Sequence, residues 1–197
     1  MFTIELDPNK VFFTSDLHLN HFNIAKYCHR PFESRKEMND ALIANWNSVV
    51  PEDGIVVCCG DFTLIREENL QEYEKLAKKL NGRILLIRGN HDRVPLVIED
   101  NPDSKFIAIV DMAKLVIDGV QIMATHYPLL AYPAEYQVFG HIHTMSDGTV
   151  HGTDGPVVSK LNKNQYDVGV DQNNYTPISY WQLCDIFRLK NNGGFTY

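Results

Sequence analysis

Three short apolar runs shape the first half of the chain: Val11-Phe12-Phe13-Thr14-Ser15, Ile55-Val56-Val57-Cys58-Cys59 and Ile84-Leu85-Leu86-Ile87. Runs of this length, rich in aliphatic and β-branched side chains and bounded by turn residues, read as strands buried on both faces. The stretches between them repeat at helical spacing. Met38, Leu42, Trp46 and Val49 recur within Glu37–Val50, and Leu70, Tyr73, Leu76, Ala77 and Leu80 within Arg66–Leu80. Pro51 with Asp53-Gly54 ends the first helix, and Asn81-Gly82 turns the chain after the second. Strand, helix, strand, helix, strand in succession is the pattern of parallel βαβ units. Ligands of such sheets gather beyond the carboxyl ends of the strands. There the chain carries Asp16-Leu17-His18, Gly60-Asp61 and Arg88-Gly89-Asn90-His91-Asp92.

The second half changes texture. Phe106–Val110 and Lys114–Ile117 read as strands, and Asp118-Gly119 is a hairpin signal leading into a returning strand at Val120–Ala124. That strand exits into Thr125-His126-Tyr127-Pro128. A short strand at Tyr136–Phe139 leads to Gly140-His141-Ile142-His143. Residues 144–164, rich in Gly, Ser, Thr, Asp and Asn, read as a loop or lid. Tyr166–Val170 reads as a last strand and Trp181–Leu189 as a helix. There is no internal repeat, low-complexity tract or linker, so residues 1–197 are expected to form one domain.

Composition narrows the function. With 197 residues, 44% of them hydrophobic and 22% charged, the chain can bury a sizeable core. No apolar run approaches the ~20 residues that span a bilayer. Met1–Lys10 lacks the apolar segment of a signal peptide, so the expected location is the cytoplasm. The four cysteines, Cys28, Cys58, Cys59 and Cys184, show no C-x-x-C spacing and read as reduced thiols. A formal charge of −7 argues against non-specific nucleic-acid binding. It leaves room for a small phosphorylated substrate if metal ions supply positive charge locally.

Set side by side, the strand exits present Asp16 and His18, Asp61, Asn90 and His91, His126, and His141 and His143. In extended chain, residues i and i+2 share a face, so Asp16 and His18 can grip one ion together, as can His141 and His143 if locally extended. Carboxylates, imidazoles and one carboxamide suit a first-row divalent metal. The donors exceed what a single ion takes and divide naturally between two, with one carboxylate shared. For a lone histidine, a surface or satisfied core group is the commoner reading. Clusters at five strand exits of one chain are poorly explained that way.

In order and spacing these motifs resemble those of the calcineurin-like metallophosphoesterases: Asp-x-His, Gly-Asp, Gly-Asn-His-Asp, a lone His, and Gly-His-x-His. They span residues 16 to 143. Tyr166–Asp171 with Thr176-Pro177-Ile178-Ser179 is similar to the ending of the small single-domain branch. The resemblance implies an α/β fold: a four-layer α/β/β/α sandwich of two mixed sheets flanked by helices. It places Asp16, His18, Asp61 and His143 on one cation and Asp61, Asn90, His126 and His141 on the other, with Asp61 bridging. The ions it implies are two divalent metals among Mn²⁺, Fe and Zn²⁺. The reaction implied is hydrolysis of a small phosphoester by a metal-bridging hydroxide, with His91 as general acid.

One departure separates this chain from the protein phosphatases of that superfamily, which extend the second motif to Gly-Asp-x-x-Asp-Arg. Here Leu64 and Ile65 stand where the second Asp and the Arg would be. A diester substrate is therefore expected ahead of a monoester, and Asp92 becomes the candidate for orienting His91. His21, Asn23 and Arg88 are candidate substrate contacts. The plainer readings are a helix N-terminal polar pair for the first two and an ion pair for Arg88. His151 is a candidate from the lid, whereas His29 sits beside Arg30 on an expected surface turn and has no role. Two rival functions are a catalytically silent scaffold and a nuclease. The complete ligand set with His91 counts against the first, and the acidic charge against the second.

Overall fold

Val11–Thr14 (β2), Ile55–Cys58 (β3), Arg83–Ile87 (β4) and Phe106–Val110 (β5) pair in parallel, each to the next, and Ile178–Ser179 (β10) joins β2 antiparallel. The structure, a computed structural model, describes residues 1–65, 69–98, 101–145, 148–150 and 160–191. Side chains alternate across this first sheet as the pleat requires. Val56, Cys58, Ile84 and Leu86 face the helices, while Val57, Cys59, Leu85 and Ile87 face the second sheet. Burial on both sides explains why these strands are continuous apolar runs.

The second sheet holds Phe2–Leu6 (β1), Met112–Ile117 (β6), Val120–Thr125 (β7), Tyr136–Phe139 (β8) and Gln165–Asp167 (β9), in the order β1-β6-β7-β8-β9. Only β6–β7 is antiparallel. It is the expected hairpin, turned by Asp118 and Gly119 at φ 52° and 77°. Leu115, Ile117, Ile122, Ala124 and Val138 form its share of the inter-sheet core. β1, whose Phe-Thr-Ile-Glu-Leu alternation was open to reading, is absent from the sequence expectation.

Among the described residues the helices are α1 (Asn23–Tyr27), α2 (Arg35–Val49), α3 (Leu70–Ala77) and α4 (Tyr180–Asn191). Met38, Leu42 and Trp46 of α2 and Tyr73 and Leu76 of α3 pack on the outer face of the first sheet. Burying side chains of this size stabilises by about 2 kcal/mol each. α2 starts two residues before its expected position because Ser34 caps it, accepting from the Glu37 amide. Val49, expected on its inner face, is 39% exposed in the last turn. α3 starts at Leu70, capped by Asn69; residues 66–68, where the expected helix began, lie outside the described set. α4 sends Tyr180, Leu183 and Phe187 into the inter-sheet core. The fold is thus α/β, two mixed sheets with flanking helices. No helix among the described residues is long and apolar enough to cross a membrane.

β9 stops at Asp167, short of the expected Val170. The Asp167 carboxylate accepts from the Gly169 amide and bends the chain, and Gly169 then bridges to Ser15 beyond β2. This contact ties the carboxyl ends of the two sheets together at one rim, where the polar clusters lie.

Candidate metal centre

Parallel pairing of β2 with β3 continues past the strands: the amides of Asp16, His18 and Leu19 donate to the carbonyls of Gly60, Asp61 and Phe62. The first two strand exits are therefore zipped into one ledge. Asp16, His18, Asp61, His141 and His143 all have left-handed backbones, with φ between 48° and 74°. Asp and His tolerate this region better than most residues, but each still costs about 1 kcal/mol or more. The expected extended i, i+2 arrangement is thus corrected. Tight left-handed turns, not strand alternation, bring Asp16 to His18 and place His141 and His143. Two glycines allow the close approach. A Cβ on Gly89 would lie 2.2 Å from Asp61 Oδ1, and one on Gly140 would lie 2.4 Å from Asp16 Oδ2.

Asp61 sits in the middle. Its Oδ2 is 3.4 Å from His18 Nε2 and its Oδ1 is 3.7 Å from His126 Nε2. Asp16 lies beside it and also meets His143, whose Nε2 is 4.0 Å from Asp16 Oδ1. Ligand atoms of Asp16, His18 and His143 fall within 4.8 Å of one another, as do those of Asp16, Asp61 and His126 and those of His18, Asp61 and His91. Asn90 Oδ1 is 2.9 Å from His126 Nε2, and the His141 ring lies 5.0 Å from that of His126, edge to face.

The protons are placed so that lone pairs point inward. His126 Nδ1 donates to the Cys59 carbonyl at 2.8 Å, leaving Nε2 to face Asn90 Oδ1, itself an acceptor. His143 Nδ1 donates to Asp171 at 2.8 Å, so in the neutral imidazole the lone pair lies on Nε2. His18 Nε2 is buried without a hydrogen-bond partner. Burial, followed by His143, Arg30 and the neighbouring histidines, pushes His18 well below the ordinary histidine range, keeping it a neutral donor. Burial raises Asp61 to about 7, opposed by His126 and reinforced by Asp16. Facing acceptors, an orphaned imidazole nitrogen and adjacent buried carboxylates repel or strand one another unless positive charge lies among them. This donor set fits divalent cations.

The remaining expected residues divide. His91 is half-buried at the rim, its ring 5.2 Å from His18 and 5.5 Å from His21, and its amide donates to Asp61 Oδ1. His21 belongs to the cluster, with Nδ1 3.3 Å from His18 Nδ1. Asn23 is exposed at the start of α1. Arg88 forks onto Asp111 through Nε and Nη2 and donates to the Val94 carbonyl, so its guanidinium is engaged away from the cluster. Asp92 does not orient His91. Its carboxylate accepts from the amides of Gly89, Phe62 and Thr63 and from the Tyr73 hydroxyl, bracing one strand exit against another. His151 lies outside the described residues, as do 146–147 and the rest of 151–159 of the expected lid.

Several residues that matter here have no site role in the sequence reading. Arg30, expected on a surface turn, is 4% exposed and pairs with Asp171. Asp167 accepts from the amide of Thr144, next to His143. Tyr127 stands exposed at the rim, its ring 4.4 Å from His141. Only the position of Tyr127 beside His126 signals this in the sequence.

Buried carboxylates and imidazoles clustered at the carboxyl rim of two β-sheets define a candidate metal-binding site of the hydrolase kind. The chain belongs to the calcineurin-like phosphoesterase superfamily, whose domain matches residues 10–159. An uncharacterized protein of Methanocaldococcus jannaschii, MJ1445, is 35% identical over 177 residues, covering 88% of this chain and 89% of its own. The crystal structure of AQ665 from Aquifex aeolicus, a protein of unknown function, has a similar fold. Its TM-score is 0.64 at 23% identity, covering 89% of this chain and 98% of that one.

Proposed function

We propose that this chain, acting as one unit over residues 1–197 in the cytoplasm, is a two-metal phosphoesterase that hydrolyses a small phosphodiester. Phosphomonoesters are the second substrate form within the same class. The observation that carries this reading is Asp61, whose two oxygens face His18 on one side and His126 on the other. In it Asp16, His18, Asp61 and His143 hold one cation, and Asp61, Asn90, His126 and His141 the other. Bound there, divalent cations such as Mn²⁺ would supply a lowered pKa for water and positive charge against phosphoryl oxygens. The chain's own residues do the rest. Gly89 and Gly140 let the backbone close around Asp61 and Asp16. His91, at the rim beside His18, protonates the departing oxygen. Preference for a diester rests on Leu64 and Ile65, which supply neither a second carboxylate nor a guanidinium for a dianionic monoester.

The test is a metal-stripped sample assayed on an aryl phosphodiester and the matching monoester, before and after Mn²⁺ is returned. Diester cleavage restored by manganese, and faster than monoester cleavage, is the expected result. Full metal content with neither compound cleaved would replace this reading by that of a silent scaffold.

A further inference from the structure

Arg30 and Asp171 are 141 positions apart, yet their side chains meet in a fully buried bidentate pair, Nε to Oδ1 at 2.7 Å and Nη2 to Oδ2 at 2.9 Å. Such a pair is weak evidence for stability, since desolvation consumes most of its Coulombic gain. What the pair touches is more informative. Asp171 Oδ2 also accepts the His143 Nδ1 proton at 2.8 Å. Of the guanidinium's other donors, Nη2 also reaches the Asp16 carbonyl at 2.7 Å, and Nη1 reaches the Leu17 carbonyl at 3.0 Å and the Met38 sulfur at 3.9 Å.

Building on the two-metal reading, we propose that Arg30 and Asp171 are positioning residues of the metal centre. They hold His143 in one tautomer and one orientation while fixing the left-handed Asp16-Leu17-His18 turn. An imidazole with no partner at Nδ1 samples both tautomers and rotates about its side-chain bonds. A carboxylate at Nδ1 fixes the proton there and leaves Nε2 as a lone-pair donor aimed at Asp16. Because one guanidinium grips both the carboxylate and the turn, His143 and Asp16 are set relative to each other although they come from opposite parts of the chain. Asp171 lies beyond residue 159, where the family match ends, so the carboxylate half of the clamp is supplied by the C-terminal segment. Cys28 lies in the same cluster. Both Asp171 oxygens already accept hydrogen bonds, however, so the group acts as a brace and not as a third cation site.

The test uses the full chain, read in two ways. Calorimetric Mn²⁺ titration of Asp171→Asn should show one of the two cations bound 10–100-fold more weakly, the usual effect of losing an outer-shell partner, with the other unchanged. Asp171→Asn leaves Arg30 without its anion and can fail to fold. The double variant Arg30→Met/Asp171→Leu removes both buried charges at similar volume and avoids that problem. Long-range ¹H–¹⁵N spectra of the metal-free proteins, recorded at a pH high enough to leave the ring neutral, should show His143 protonated at Nδ1 in the unsubstituted chain and as a tautomer mixture in the double variant. Two cations bound with equal strength in every variant, or His143 held at Nδ1 without Asp171, would overturn the clamp and leave the two-metal reading standing. If the unsubstituted chain binds no pair of cations, the two-metal reading fails, and the His143 spectrum alone decides whether the clamp sets the tautomer.

Discussion

His18 and Asp61 face each other across 3.4 Å at 1% exposure each, and the imidazole nitrogen on that line has no hydrogen-bond partner. Burial is the main cause of both perturbations, the neutral His18 and the reluctantly ionised Asp61. Groups left this way destabilise the fold unless something binds between them.

Asp61→Asn therefore separates site from scaffold. The amide keeps the volume and can still accept the His91 amide through Oδ1, so the metal-stripped variant should melt at or above the metal-stripped parent, by up to about 2 kcal/mol. It should gain little from added Mn²⁺, whereas the parent should be stabilised according to ligand concentration and affinity. Thermal melts with and without manganese check this. A variant that is destabilised without metal would make Asp61 a structural residue.

His91→Ala should keep its metal and lose about 10²–10⁴-fold in turnover on a diester with an alkoxide leaving group. On an aryl diester, whose leaving oxygen needs less protonation, the loss should be roughly tenfold. Metal analysis and the two rates on one preparation are the measurement. Equal losses on both substrates would remove His91 as the proton donor.

The strand exits and their donors were legible in the sequence because two independent signals coincide there. Runs such as Ile84–Ile87 end abruptly, and Asp, Asn and His follow where a parallel sheet delivers its ligands. The turn geometry was not legible. Asp16 and His18 sit two apart, which suggests strand alternation, but inter-strand hydrogen bonding to Gly60 and Asp61 bends them into left-handed turns. Nor was the Arg30–Asp171 pair, since an ion pair across 141 positions leaves no local pattern in a single chain. Asp92 was misread for a related reason. Adjacency to His91 suggested a partner, but neighbouring side chains diverge, and this one turned to buried amides.

Lys190 gives a pH prediction well away from any metal ligand. It lies buried on α4, donating to the Gln165 carbonyl with its ammonium 5.8 Å from the Tyr166 ring centroid, and burial lowers its pKa to about 7. In the unfolded chain a lysine titrates near ~10.4. Between those values the unfolded chain binds more protons than the folded one, so this group makes stability rise with pH from about 7 to about 10. Below pH 7 its full cost is present. Lys190→Met should be more stable by about 1–2 kcal/mol at pH 6–7, with the gap closing by about pH 10. Urea melts at several pH values decide it, and a gap independent of pH would show that Lys190 titrates normally.

Asp92 tests whether bracing and catalysis separate. Its Oδ2 accepts from the Gly89 amide at 2.9 Å, and its Oδ1 accepts from the Phe62 amide at 3.0 Å and, at 3.4 Å each, from the Thr63 amide and the Tyr73 hydroxyl. Asp92→Ala strands these buried donors and should cost about 2–4 kcal/mol. It should also weaken metal binding, because Gly89 is then free to move away from Asp61. Asp92→Asn keeps the shape but turns an amide NH₂ toward one of the backbone donors, for a cost of about 1–2 kcal/mol. Assayed well below its melting temperature, this variant should turn over within ~3-fold of the parent, since Asp92 makes no contact with the His91 ring that would set its proton. If Asp92→Asn instead matched the loss of His91→Ala while keeping its metal, the carboxylate would be working through His91 after all, and its bracing contacts would be secondary.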